Sequence, residues 1–184
     1  MAPRSNTSYL ILALLLPLAI FSSSLEAYAH LQLKETNLSF YIHDYAGPNG
    51  TDVLVTGIAG KVWSPTSFGT IFVFDDPITV GPDKDSPQIG WGQGMITISS
   101  PDAVYALQTG SVLFTNQEYN GSTLELQGRA LNLAAPGQTF GEIAVVGGTG
   151  KFRFASGFAT LNFVSYDATL IYSVTQCNIT VLHH

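Results

Sequence analysis

Three carboxylates stand where this chain could do chemistry. The apolar run Phe40-Tyr41-Ile42-His43 ends at Asp44, and the aromatic, β-branched run 68–74 ends at Asp75-Asp76-Pro77. Ionised acids cannot sit cheaply at the end of a buried strand, so they are expected to line a mouth or a pocket. In an apolar cavity, desolvation raises the pKa of an aspartate and lets it act as an acid or as a hydrogen-bond partner to a phenol. Asp44 is the sharper candidate, weighed against a plain solvated strand end. Asp-Asp-Pro also reads as a strand end that opens a turn, and adjacent like charges resist joint ionisation. On that reading Asp76 forms the turn, and Asp75 stays as a secondary pocket residue.

Other chemistries lack their residues. Gly147-Gly148-Thr149-Gly150-Lys151 has glycines that could admit a phosphate, but Phe152 follows the lysine and Arg153 stands where a dinucleotide fingerprint needs glycine. A tight turn or β-bulge is expected there. His30, His43, His183, His184 and the lone Cys177 show no zinc spacing, and Asp83 and Asp85 lack the rest of a calcium loop. No G-x-S-x-G elbow occurs. Neither a metal nor a cofactor is expected.

The elements that must carry Asp44 and Asp75 are strands. Short apolar or alternating runs recur at 38–44, 52–58, 69–75, 92–98, 103–115, 123–133, 143–146, 153–163 and 169–181, with turn residues between them and no long helical period. In Thr123-Leu124-Glu125-Leu126-Gln127 the leucines fall on one face, as in a half-buried strand. The segment 77–90 holds three prolines and reads as a rim loop. Eight or nine strands favour a closed antiparallel barrel, because closure removes exposed edges. An all-β, single-domain, eight-stranded antiparallel β-barrel is therefore expected.

Arg4, the apolar run 9–21 and Ala27-Tyr28-Ala29 predict a secretory signal peptide over residues 1–29, cleaved after Ala29. The apolar run is shorter than the ~18 residues of a spanning helix. Residues 30–184 then form one secreted domain with no membrane span. Only 11% of the 184 residues are charged, the net charge is −6 and no basic run occurs, which argues against nucleic acid or an anionic membrane as partner. A neutral organic ligand fits better. One cysteine excludes an intrachain disulfide and leaves Cys177 as a small buried hydrophobe. Sequons begin at Asn37, Asn49, Asn120 and Asn178, which predicts surface positions open to glycosylation.

Phe40-Tyr41-Ile42-His43-Asp44, the block 68–94, Asn120-Gly121-Ser122-Thr123-Leu124 and the block 145–159 together resemble the plant dirigent proteins. The resemblance runs over about 38–181 and implies an eight-stranded barrel with one apolar cavity per subunit. It also implies secretion to the apoplast and a homo-oligomer, a trimer ahead of a dimer. Family members bind phenoxy radicals or quinone methides. Some steer stereoselective coupling of radicals made by a separate laccase or peroxidase; others, the pterocarpan synthases, eliminate water from an isoflavanol.

By the same resemblance Asp44 holds the place of the family's first-strand pocket aspartate and is the expected catalytic residue. Asp75, Ile96, Ile98, Phe154 and Phe158 are the expected substrate-binding residues. The pocket tyrosines of lignan-forming members are replaced by Ile96 and Ile98, and their further polar residues by Ala130, Gly141 and Ser156. Their terminal disulfide is reduced to Cys177. A less polar cavity with no evident second acid is expected, nearer the non-lignan groups. Steered phenolic coupling is the leading function, with dehydration as the alternative and a non-catalytic wall or defence binding module as a third reading.

Overall fold

The seven-strand run from residue 71 to residue 183 is an up-and-down meander, in which each strand pairs antiparallel with the next. In a computed structural model that describes residues 33–46, 49–55, 64–133 and 136–184, the strands are β1 (Lys34–Tyr45), β2 (Asp52–Val55), β3 (Ile71–Thr79), β4 (Gln88–Ile98), β5 (Tyr105–Phe114), β6 (Thr123–Leu131), β7 (Thr139–Gly148), β8 (Ser156–Asp167) and β9 (Tyr172–His183). β1 pairs with β9 along its whole length and then meets β3, which closes an eight-stranded barrel of β1 and β3 to β9. β2 lies outside that ring, paired only to β3. The all-β barrel and the single domain over Lys34–His184 agree with the expectation from sequence. The predicted signal segment, and the end of the second predicted strand beyond Val55, lie outside the described residues.

The interior follows from the period of two. Leu38, Phe40 and Ile42 of β1 face in, opposite Ile179, Cys177 and Thr175 of β9. Val112 and Phe114, Leu124 and Leu126, Ile143 and Val145, and Ala159 and Leu161 supply the same face of β5 to β8. One end is filled by aromatic rings: Phe114 lies edge-on to Phe40 at 6.2 Å and 5.6 Å from Phe152, which a short 3-10 turn (Gly150–Phe152) inserts fully buried. Gly150 takes φ +61, and a Cβ there would fall 2.6 Å from Ser122 Oγ. The glycine-rich motif is thus the tight turn the sequence suggested.

Closure is the thin point of the fold. β1 and β3 share only the pairs Tyr41 with Thr79 and Ile42 with Ile78, after which the two strands part and β2 takes the place beside β3. Thr51 spans the gap. Its hydroxyl accepts the Tyr45 N–H at 3.1 Å and donates to Asp76 Oδ1 at 2.5 Å, while its carbonyl accepts the Asp75 N–H at 2.9 Å. A buried donor or acceptor left unpaired costs about 1–3 kcal/mol. Thr51→Val should therefore lower unfolding stability by about 1–3 kcal/mol in urea titrations of unglycosylated protein, with Thr51→Ser retaining most of it.

Candidate active site: three carboxyls beside an apolar cavity

The parting of β1 and β3 collects three aspartates. Asp44 lies two residues beyond Ile42 on the inward face of β1, and Asp76 two residues before Ile78 on the inward face of β3. Asp52 pairs directly opposite Phe74 on β2, which puts it on the same face. Asp76 is 5% exposed and takes the Thr51 hydroxyl; Asp44 has a long contact, 3.5 Å, from the Ser173 hydroxyl. Among the described residues, Asp44 Oδ1 and Asp52 Oδ1 are buried without any hydrogen-bond partner. Polar atoms of this kind await either a proton or a ligand.

Desolvation decides their charge. Burial pushes Asp76 up to about 8, against the opposing Thr51 hydrogen bond and helped by the nearby Asp44, Asp52 and Asp75. Burial, with Asp44 adding, raises Asp52 to about 7, and burial also raises Asp44. Like charges this close cannot all ionise, so the cluster titrates as a unit and holds protons at neutral pH. It can donate a proton from one member and accept one on another. Among the described residues no three His, Cys, Asp or Glu side chains are placed to hold a metal ion.

A second network locks the same strand ends from outside the barrel. Thr79 donates its hydroxyl to the Gly81 carbonyl at 2.6 Å, so it accepts from His43 Nε2 at 2.7 Å. His43 Nδ1 then accepts the Tyr172 hydroxyl at 2.6 Å. Burial lowers the His43 pKa, which keeps this tautomer neutral, and burial raises Tyr172 to about 12. His43 precedes Asp44 and Tyr172 precedes Ser173, so the relay fixes the backbone of both.

Next to the acids lies an apolar cavity of about 60 Å³, lined by Ile42, Phe74, Val112, Leu126, Ile143 and Leu161, with Gly92 and Gly110 among its other walls. Ile42 leads to Asp44 and Phe74 to Asp76, each two residues on along the same face. A more open hollow of about 320 Å³ at Thr66, Val104 and Leu133 carries one carboxylate, the exposed Asp102. It has no part in the acid cluster.

The structure places the predicted residues unevenly. Asp44 stands in the acid cluster with Asp52 and Asp76. Asp75 is corrected: it faces out, exposed, and accepts the Gln93 side-chain N–H at 2.8 Å, while Asp76, expected in a turn, is the buried one. The reason is that β3 does not end at Asp75 but runs through Pro77 to Thr79, so the parity of Phe72, Phe74 and Ile78 sends Asp76 inward. The expectation of no second acid is corrected as well, by Asp76 and Asp52. Asp52 was legible only as an alternative parity of Asp52-Leu54 against Val53-Val55.

Ile96 faces in, half-buried, between Phe72 and Gln108, and Ile98 is fully buried with its backbone bonded to Gly69 and Thr70. Neither lines the cavity at Phe74. Phe158 and Phe154 do not line the interior either. Phe158 pairs with Thr180 on the outer face at 42% exposure, because Gly157, Ala159 and Leu161 take the inward positions of β8. Phe154 is 76% exposed in the turn before β8, at φ +62. Of the sequon asparagines, Asn37, Asn49 and Asn120 are exposed, whereas Asn178 is half-buried and accepts the Ser39 hydroxyl at 2.8 Å.

Buried acids stand against an apolar cavity inside a closed antiparallel barrel. The chain matches the model of the family described as Dirigent-like protein over residues 35–182. It is 39% identical over 152 residues to Pterocarpan synthase 1 of Glycyrrhiza echinata, covering 82% of this chain and 79% of that protein. It is 38% identical over 160 residues to Dirigent protein 15 of Arabidopsis thaliana, covering 82% and 81%. Among solved structures, the pterocarpan synthase dirigent protein GePTS1 superposes with a TM-score of 0.72 at 38% identity, covering 84% of this chain and 87% of that one. The chain belongs to the dirigent family.

The raised carboxyls set the pH response of stability. Above the ordinary aspartate range the unfolded chain has released protons that Asp52 and Asp76 still hold in the fold until about pH 7 and 8. Their ionisation therefore opposes folding, and stability falls as pH rises through that window. The neutral, buried His43 acts in the opposite sense only below the usual histidine range, so it does not mask the effect. Urea midpoints should be lower at about pH 9 than at about pH 6.5. In Asp76→Asn the difference should shrink.

Proposed function

We propose that this protein removes water from a phenolic substrate bearing a benzylic hydroxyl, through a quinone methide, as a lyase with no oxidase of its own. The observation that carries the reading is Asp76, buried and held protonated at neutral pH beside Asp44 and Asp52 at the edge of an apolar cavity. Its acid proton goes to the departing hydroxyl, which leaves as water. An ionised neighbour, Asp44 or Asp52, takes the proton of the conjugated phenol, and the electron pair of that O–H bond becomes the quinone methide carbonyl. A second hydroxyl of the same substrate then closes on the benzylic carbon and gives its proton to the Asp76 carboxylate, while the electron pair of the exocyclic C=C bond returns to the ring and the former carbonyl oxygen takes back its proton from Asp44 or Asp52, which restores the phenol and the cluster. Each transfer lies within general acid–base chemistry, and the orphaned carboxylate oxygens of Asp44 and Asp52 supply the missing partners.

The similarity to the pterocarpan synthases supports this reading, with an isoflavanol as the substrate class. The similarity to Arabidopsis dirigent proteins favours a second one, in which the same cavity holds a phenoxy radical made by a separate laccase or peroxidase and sets the face of coupling. Under either reading the protein acts after secretion to the apoplast, as a glycosylated homo-oligomer.

Purified protein alone should turn over an isoflavanol, and Asp76→Asn should lower kcat by about 10²–10⁴ with circular dichroism unchanged. Activity should also fall as pH rises through about 8, where Asp76 ionises. Turnover that survives Asp76→Asn, or product that forms only when a laccase is added, would remove the lyase reading.

A further inference from the structure

The wall of the cavity is missing side chains on two neighbouring strands at once. Gly94 of β4 and Gly110 of β5 are register partners on the inward face. Neither adopts positive φ, so their backbone conformation does not call for glycine. Space does: a Cβ on Gly94 would fall 2.2 Å from the Thr109 carbonyl oxygen and 2.9 Å from Phe74 Cζ, and one on Gly110 would fall 2.8 Å from the Gln93 carbonyl oxygen and 3.1 Å from Phe74 Cζ. The Phe74 ring therefore lies with its tip on a bare backbone floor made by the glycine pair. Glycine within a strand marks a place where another group approaches the backbone closely.

One step along β4, Gly92 is different. It pairs with Asp76, lines the cavity and takes no positive φ, and a Cβ there would meet nothing nearer than 3.9 Å. Packing leaves room for a methyl group at Gly92. The space beside Asp76 is thus open by composition, a track leading from the glycine floor to the buried acid.

The free volume, about 60 Å³, is too small for an aromatic ring. A dry cavity of about 150 Å³ holds benzene. The shortfall is about the volume of a phenyl ring, and the half-buried Phe74 ring is the one on the floor. We propose that Phe74 is the plug that determines which ligands enter: the flat ring of a phenolic ligand displaces the Phe74 ring from the Gly94–Gly110 floor and lies with its substituted edge along Gly92 toward Asp76. Two residues along a strand span about 6.6 Å, the length of a substituted ring from the floor to the acid. Asp52, opposite Phe74, meets the other edge. Flat rings fit this floor, and branched or saturated ones do not.

This inference rests on the reading that the barrel takes a phenolic ring, and it is tested by binding rather than turnover so that the two can fail separately. The probe is 2-naphthol, flat and unable to lose water, titrated calorimetrically into the mature protein and into Phe74→Ala, Phe74→Leu and Gly92→Ala, with a melting curve for each. Removing the plug should tighten binding about tenfold, since the closed conformer no longer competes with ligand. Gly92→Ala should melt at or above the wild-type temperature yet bind about tenfold more weakly. Unchanged affinity in Phe74→Leu and Phe74→Ala, or wild-type affinity in a folded Gly92→Ala, overturns the plug. If the binding pattern holds while the wild type leaves an isoflavanol untouched, the plug stands and the dehydration reading falls. If an isoflavanol is turned over and the pattern is absent, the reverse is true.

Discussion

Closing this sheet on itself leaves two strand pairs that no hairpin holds, β1 with β9 and β1 with β3, and the second is the short one. Every other neighbouring pair around the ring shares at least four residue pairs, whereas β1 and β3 share two and then separate. A barrel needs every backbone group along such a gap to find a partner. Thr51 provides one for Tyr45 and one for Asp75, and β2 provides the ladder that β1 abandons on β3. The gap is also the place where side chains from three segments can meet without belonging to one ladder. The acid cluster exists because the seam is incomplete.

That position explains why carboxyls are tolerated in an interior otherwise built from Phe, Ile, Leu and Val. Each is desolvated, two keep an oxygen without a partner, and their mutual repulsion adds to the cost of ionising any of them. A packed hydrophobic substitute would hold the seam more stably. The barrel retains instead a set of groups whose protonation is split by environment, the arrangement that separates acid from base roles. The aromatic end around Phe40, Phe114 and Phe152 carries the stability that this end gives up.

Rigidity at the seam comes from two sides. Inside, Thr51 holds Asp76; outside, the chain from Tyr172 through His43 and Thr79 to Gly81 ties β9, β1 and β3 together one residue away from Ser173 and Asp44. A side chain held at both its own and its neighbour's position keeps its geometry when a ligand arrives. The floor of the cavity is the opposite case, where glycines leave only one ring to move.

Sequence alone determined the class of fold, the strand count to within one and the turn at Gly147 to Lys151, and it singled out Asp44 as a candidate, since each depends on local patterning: turn residues, alternation, or an apolar run ended by an acid. It assigned Asp75 and Asp76 the wrong way round because Pro77 suggested a strand end, whereas the edge gap between β1 and β3 lets the strand continue through it. Asp52 was legible only as an alternative parity of its strand, and Thr51 only as the last residue of the Asn49 sequon. Their roles depend on β2 pairing with β3 outside the ring, beside the seam where β1 leaves β3, a placement that no local pattern specifies. Likewise the resemblance put Phe154 and Phe158 among the substrate-binding residues, whereas the parity set by Gly157, Ala159 and Leu161 turns Phe158 outward and Phe154 lies exposed in the turn before β8. Residue type and spacing carry local geometry; which face a side chain takes at an incomplete seam is decided by pairing across the barrel.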